Sequence, residues 1–369
     1  MNHSITPPSS AASWVHCPGW VNMALLHPST ESEDSREGVE AHELAESYVK
    51  LLREQKPIPE GSGEMHEGAV LYAETMFNSM KQLSVYGGWT QGTEQRLEIK
   101  QVHNACFGTV DGFVYNPVSR MLHVWDYKYG HMDVNPVKNW QLIAYTAGLF
   151  DYLGVNGYDD QVLTVQLGIV QPRAYTAGGP VRTWTVTGSD LRPYITSLRN
   201  AAERALSDAP KCNSGVQCRY CDARWNCEAA NDAGLTLYEA ASDPIPLDAT
   251  PSELGLRLSL ITRAVEQLNY VKSGLEAQIE ALTKSGKVVP GWALKPTPGR
   301  ENWTVSVEEV LAVGETAGVD LTKPAVLTPN QARKAGLSDE VISAISKRSN
   351  GLKLVQQDET LVQSIFKGK

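Results

Sequence analysis

The chain lacks an excess of positive charge. Thirty-three Lys and Arg stand against 42 Asp and Glu, a net of −9 over 369 residues. A broad basic surface for nucleic acid is therefore excluded, and any phosphate binding must be local, through a divalent cation or a confined basic groove. No apolar run approaches the length that crosses a bilayer, so no membrane partner is expected. The opening stretch, MNHSITPPSSAASW, has neither a basic n-region nor an apolar h-region. No secretory leader is expected, and the expected location is cytoplasmic. Internal repeats are absent. The six cysteines do not suggest a disulfide scaffold, because four of them crowd between Cys212 and Cys227. That crowding points to metal.

What is present suffices for a large core: 42% of the residues are hydrophobic. The order of periods predicts helices over 37–52 and 61–85, then strands over 95–102, 106–115 and 121–129. An amphipathic helix is predicted over 137–153, a strand over 162–170 and a helix over 189–207. Residues 228–251, with Asp243-Pro244 and Pro246, read as a linker. Leu254, Leu258, Ile261, Val265, Leu268, Leu275, Ile279 and Leu282 then recur with alternating spacings of four and three, broken only at Lys272. This predicts one long amphipathic helix, packed in a hairpin or on the first domain. The expected organisation is a main domain over 1–235, the long helix over 252–285 and a small C-terminal module over 286–369. From Lys323 onward eight Lys or Arg face four Asp or Glu, a local net of +4 that leaves −13 for the rest. Lys347, Arg348 and Lys353, beside an expected turn at Asn350-Gly351, are the candidate phosphate contacts there; a solvated surface is the alternative.

The chemistry concentrates in GTVDGFVYNPVSRMLHVWDYKYG, residues 108–130. Side chains alternate along a strand, so Val124, Asp126 and Lys128 share one face while Trp125, Tyr127 and Tyr129 share the other. An Asp and a Lys two apart in an apolar strand are costly if buried to no purpose. If the strands over 106–115 and 121–129 form a hairpin, Asp111 and Asp126 converge on one cation, and oxygen ligands suit Mg²⁺ or Mn²⁺. Lys128 can then orient or deprotonate the attacking water. On spacing alone, a surface ion pair between Asp126 and Lys128 fits as well. Gln141 and Tyr145, four apart on a helix, face one direction. Cys218, Cys221 and Cys227 form C-x2-C-x5-C, a soft-metal pattern short of one ligand. By spacing alone, Cys212 completes a four-cysteine zinc knuckle. Cys106, in an apolar strand, reads as a buried free thiol.

The G-x-x-D, turn, apolar run and D-x-K of residues 108–128 resemble the PD-(D/E)XK nuclease signature. Gln141-Leu-Ile-Ala-Tyr145 is similar to the Q-x-x-x-Y helix motif of RecB-like nucleases. Glu37-Gly38 and Ala41-His42-Glu43-Leu44-Ala45-Glu46 resemble their first motif, whose histidine is a metal ligand, with Glu94 in a supporting acidic position. Ser9-Ser10, Trp14 and Cys17-Pro18 resemble the N-terminal cysteine motif of the iron–sulfur branch. In that branch, one N-terminal and three C-terminal cysteines hold a 4Fe–4S cluster. Asp126 stands where Glu is commoner. Over its whole length the chain resembles an uncharacterised phage and prophage family carrying this core. Features shared with that family include Gln171-Pro172-Arg173, Pro290-Gly291-Trp292 with Arg300 and Trp303, and Leu327-Thr-Pro-Asn-Gln331.

The resemblance implies an α/β fold with a central mixed sheet flanked by helices, and a Mg²⁺- or Mn²⁺-dependent deoxyribonuclease, expected to act as an exonuclease. It implies His42, Asp111 and Asp126 as ligands and Lys128 as the catalytic lysine, with Gln141 and Tyr145 positioning DNA or that lysine. Cys17, Cys218, Cys221 and Cys227 would hold the cluster. DNA and a phage recombination or replication protein are the implied partners, in a bacterial host cell. Two alternatives stand beside this: a non-cleaving DNA-binding or assembly protein that keeps the fold, and a nuclease with structural zinc.

Overall fold

The computed structural model describes residues 4–27, 33–155, 161–174, 178–242, 244–321, 328–334 and 336–356. Two compact units follow one another, Met1–Lys272 and Ser273–Lys369. Among the described residues, no helix is long and apolar enough to cross a membrane.

The first unit is α/β. Short helices α1 (Ala11–His16) and α2 (Trp20–Leu26) lead into α3 (Glu33–Arg53) and α4 (Glu64–Ser84), then β1 (Thr90–Glu98), β2 (Phe107–Asn116) and β3 (Met121–Tyr127). Helix α5 (Trp140–Leu153) crosses to β4 (Thr164–Val170), and β5 (Val181–Thr187) and α6 (Gly188–Ala205) follow. The five strands lie in sequence order. β3 and β4 pair in parallel, the other neighbours antiparallel, which makes the sheet mixed. A parallel pair requires a crossover, and α5 supplies it.

Both faces of the sheet are covered. On one, α3 and α4 interlock through Ala41, Ala45, Tyr48, Ala69, Ala73 and Met76 and cover Trp125 and Tyr127 of β3. On the other, α1, α5 and α6 cover Leu122 and Val124. The alternation expected along β3 is thus present. Trp14 is fully buried in this second layer, its indole donating to the Pro7 carbonyl at 3.0 Å.

Three differences from the sequence reading have physical causes. Helix α5 is not amphipathic: every residue from Leu142 to Phe150 is buried, because it is packed on several sides. The β-branched segment Val181–Thr187 supplies an edge strand where the reading has none. Residues 228–251 are not all linker, since Glu228–Ser242 forms helix α7. Its Asn231-Asp232 and Gly234 look like turn residues, yet Gly234 is where a leucine of the next helix, α8 (Pro251–Lys284), comes closest: a Cβ there would lie 3.1 Å from Leu268.

The second unit contains β6 (Trp292–Trp303), α9 (Val307–Thr316), α10 (Pro329–Lys334), α11 (Asp339–Ile345) and β7 (Ser346–Gln356). β6 and β7 form a two-stranded antiparallel sheet. A core of Val310, Leu321, Ala332, Leu337 and Ile342 lies within this unit. Asn350-Gly351 is not a turn but mid-strand, paired with Pro298 and Thr297. Lys347 is exposed on β7. Arg348 and Lys353 belong to the same strand, their side chains outside the described residues.

Candidate active site

The β2–β3 ladder ends just where the acidic residues stand. Gly112 pairs with Trp125, so the next step of the register sets Asp111 opposite Asp126. There the strands part, and Asp111 Oδ2 accepts the Tyr127 amide at 2.7 Å in place of a ladder bond. β3 remains joined to β4, with the Lys128 amide donating to the Val170 carbonyl at 2.9 Å. On the other side of β2, Thr93 pairs with Gly112 and Gln95 with Val110, which leaves Glu94 opposite Asp111. Glu94 holds a left-handed backbone, φ 47°, a strained state for a non-glycine residue. Gly112 is required here, because a Cβ would lie 2.6 Å from Met76 Sδ and 2.7 Å from the Tyr72 hydroxyl.

Helix α3 completes this edge. His42 Nδ1 lies 3.8 Å from Asp111 Oδ2 and 3.9 Å from Glu94 Oε1. Its ring stands edge-on to Tyr127, with centroids 5.2 Å apart. Ligand atoms of His42, Glu94 and Asp111 all fall within 4.8 Å of one another, the one such trio of His, Cys, Asp or Glu among the described residues. One imidazole and two carboxylates suit a divalent cation. An open groove runs past His42 and Glu94, lined also by Gly38, Val39, Glu43 and Glu46 of α3.

Asp126 sits beside this trio. Its side chain is 1% exposed. Oδ1 accepts from Lys128 Nζ at 3.0 Å and from Gln141 Nε2 at 2.8 Å. Lys128 also donates to Gln141 Oε1 at 3.0 Å, which closes a three-residue ring. Asp126 Oδ2 is buried with no hydrogen-bond partner. A carboxylate oxygen left bare is costly unless a cation meets it. Asn139 positions Gln141: it caps α5, accepting from the Gln141 and Leu142 amides at 3.0 and 3.1 Å. Tyr145, one turn on, is buried and bonded to Gln141.

The charges respond to this crowding. Burial pushes the Asp126 carboxyl up to about 6, against the pull of Lys128. Burial raises Asp111 too, against His42 and Lys128. Burial works against a charge on His42 and on Lys128, but the surrounding carboxylates outweigh it and hold both above their ordinary values. The cluster therefore carries more negative charge than it can comfortably hold without a bound cation.

A second collection of ligand-type residues lies in the same unit, in a separate pocket. Cys17, Cys212, Cys218, Cys221 and Cys227 line one pocket with Trp20, Met23 and Arg224. The Asn213 amide donates to Cys17 Sγ at 3.3 Å, and the Gly215 amide to Cys218 Sγ at 3.4 Å. Burial pushes Cys212 up to about 12 and Cys221 to about 11, and raises Cys17. Cys106 stands apart, buried before β2, with its thiol also pushed up to about 12.

The residue pattern has a family. Residues 3–360 match a family model described as "Protein of unknown function (DUF2800)". The chain belongs to that family. No solved structure matches it. The geometry of this DUF2800 chain brings His42, Asp111, Asp126, Lys128, Gln141 and Tyr145 to one place and raises Glu94 from a supporting position into the tight trio. Lys347, Arg348 and Lys353 lie in the second unit.

Two contributions to the site had no role assigned from the sequence. Tyr72 and Tyr127 form the aromatic floor, their ring centroids 5.1 Å apart. Gln171, fully buried, ties down the loop between Lys128 and α5. It accepts from the Val134 amide at 3.0 Å and donates to the Gly130 and Met132 carbonyls at 2.8 and 2.6 Å. The signal was Gln171-Pro172-Arg173 at a strand end, which reads equally well as a turn.

Proposed function

We propose that this chain is a metal-dependent deoxyribonuclease with the RecB-like PD-(D/E)XK core and a cysteine-held iron–sulfur cluster, of the kind phage recombination or replication employs. The observation that carries the reading is the parting of β2 and β3, which leaves Asp111 and Asp126 opposite each other with His42, Glu94 and Lys128 around them. His42, Glu94 and Asp111 would hold Mg²⁺ or Mn²⁺, with the bare Oδ2 of Asp126 turned to the same charge. The ion supplies Lewis acidity toward the phosphate and a lowered pKa for bound water. Lys128 presents an ammonium toward the reacting phosphate, where charge develops. Gln141 is a positioning residue that fixes Lys128 and Asp126 at once. The open groove along α3 would take the DNA.

The cysteine pocket supports the second half of the reading. Cys17 reaches it from the N-terminal side, and Cys218, Cys221 and Cys227 from the other.

The test is cleavage of single- and double-stranded DNA by anaerobically purified protein in Mg²⁺ and in Mn²⁺. Asp111→Ala, Asp126→Ala and Lys128→Ala should each lower the rate by on the order of a thousandfold. All three should keep the absorbance of the cluster. Variants as fast as the parent would end the assignment, and a parent inert with both metals on both substrates would make a non-cleaving DNA-binding protein the better reading.

A further inference from the structure

Among the described residues, the long helix α8 leaves most of its leucine stripe exposed. The face it gives to α7 is Ala264, Gln267 and Val271, each under a tenth exposed. The Gln267 side chain donates to the Ala230 carbonyl of α7 at 3.3 Å. The stripe lies to one side of that face. Leu254, Leu258, Ile261 and Val265 are 49, 66, 39 and 52% exposed, and Leu268, which touches α7 only at its edge, is 44% exposed. Further along the same helix, Leu275 and Leu282 are 43 and 38% exposed.

The stripe has a strict seven-residue repeat. Leu254, Ile261, Leu268, Leu275 and Leu282 fall at one core position, and Leu258, Val265, Lys272 and Ile279 at the other. A free surface helix follows a 3.6-residue period, whereas a repeat held at 3.5 fits a supercoiled partner. Leucine at nearly every d position, two β-branched residues among the a positions, and a single polar residue at one a position are the marks of a parallel two-stranded coiled coil. Like charges meet across the seam only at Lys272, which would face its own copy; the flanking positions bring none together. The flanking positions are Gly255, Thr262, Asn269, Glu276 and Thr283 on one side and Arg257, Ala264, Val271 and Gln278 on the other. The area suffices as well. Closing eight apolar positions on each of two helices removes roughly 80 Å² apiece, about 1,300 Å² in all, near the lower bound of a stable interface.

We propose that α8 pairs with α8 of a second copy of this chain as a parallel, in-register coiled coil, so that the protein is a homodimer. The inference does not depend on the nuclease reading. The seam is centred beside the face turned to α7: of its core positions only Leu268 touches α7, and the flanking Ala264 and Val271 lie on the boundary between the two faces.

The experiment is sedimentation equilibrium of the full chain at micromolar concentration. The parent should have twice the chain mass of 40.4 kDa. Ile261→Glu with Val265→Glu places four carboxylates in the seam and should weaken pairing by at least about a hundredfold, giving a monomer with unchanged circular dichroism. Lys272→Ile keeps the helix and should tighten self-association, which guards against a charge variant that simply misfolds. Leu254→Cys should form a disulfide with its own copy under mild oxidation, as register and parallel direction require. A monomeric parent would overturn the proposal and leave the stripe to a different partner. A dimer that survives both glutamates, or one that Leu254→Cys cannot cross-link, would overturn it too.

Discussion

The acidic site and the cysteine pocket are both built from distant stretches of chain, yet they are held in opposite ways. Asp111, Asp126 and Glu94 stand on adjacent strands, and Gln141 on a capped helix, so the backbone sets their positions whether or not a cation is there. The cysteines sit on loops and short turns. Cys17 caps the six-residue α1, and Cys218 lies in the short 3-10 turn Val216–Tyr220. The sheet makes its site rigid before anything binds, whereas the pocket, on the proposed reading, would leave a bound group to hold the loops together. A stable framework can carry strain and bare lone pairs; a loop pocket draws order from what fills it.

The comparison is broken most directly at Cys17. If the pocket holds a cluster, Cys17→Ser should destabilise the first unit by on the order of 4 kcal/mol or more, since it releases the N-terminal segment from residues 212–227. Cys212→Ser should cost less, and Asp111→Asn less than about 1 kcal/mol, one hydrogen bond being weakened. Denaturant midpoints measured anaerobically would check the order. A Cys17→Ser protein as stable as Asp111→Asn would erase the distinction, and greater sensitivity at Cys212 than at Cys17 would reassign the ligand.

Acid should separate the two regions next. His123 on β3 is 1% exposed, and burial pushes its pKa down to about 4. The unfolded chain takes up that proton near pH 6.5. The stability linked to neutral His123 is therefore intact above pH 6.5 and lost as the pH falls toward 4, about 3 kcal/mol in all. The loss is expected in the sheet, where Trp125 donates to Ser79 at 2.9 Å and reports by fluorescence. His123→Phe should flatten this part of the pH profile; an unchanged profile would place the acid sensitivity elsewhere.

A further effect concerns the loop between Lys128 and α5. Gln171→Ala removes its buried amide and should cost about 2 kcal/mol. The slackened loop should lower turnover more than DNA affinity, because Lys128 loses its setting while the groove along α3 is untouched. Equal losses in turnover and affinity would mean that the groove itself had moved.

Much of the sheet could be read beforehand because its strands obey local rules. The alternation of Val124, Asp126 and Lys128 against Trp125, Tyr127 and Tyr129 put the charged pair on its own face. β5 and α7 were not legible for related reasons. Val181–Thr187 follows a loop and gains its identity from pairing with β4, and α7 carries turn-forming residues that packing against α8 overrides. The site shows the same division. Asp111, Asp126 and Lys128 are close in sequence and could be paired on paper. Glu94 joins the trio only because its backbone turns left-handed opposite Asp111, and Gln171 acts through a loop some forty residues away in sequence, as its bond to Gly130 spans |i−j| of 41. Long-range register and loop anchoring leave little trace in local pattern.

The link between Cys17 and Asn213 also has a consequence in time. The two residues are 196 positions apart. At ~5–20 residues per second, the segment bearing Trp14 and Cys17 is made about 10–40 s before its docking partner exists. Through that interval the Cys17 thiol lacks the Cys212–Cys227 side of its pocket, while Trp14 can already pack on α5 once that helix is made. Closure of the cysteine pocket is therefore a late event in the making of the first unit.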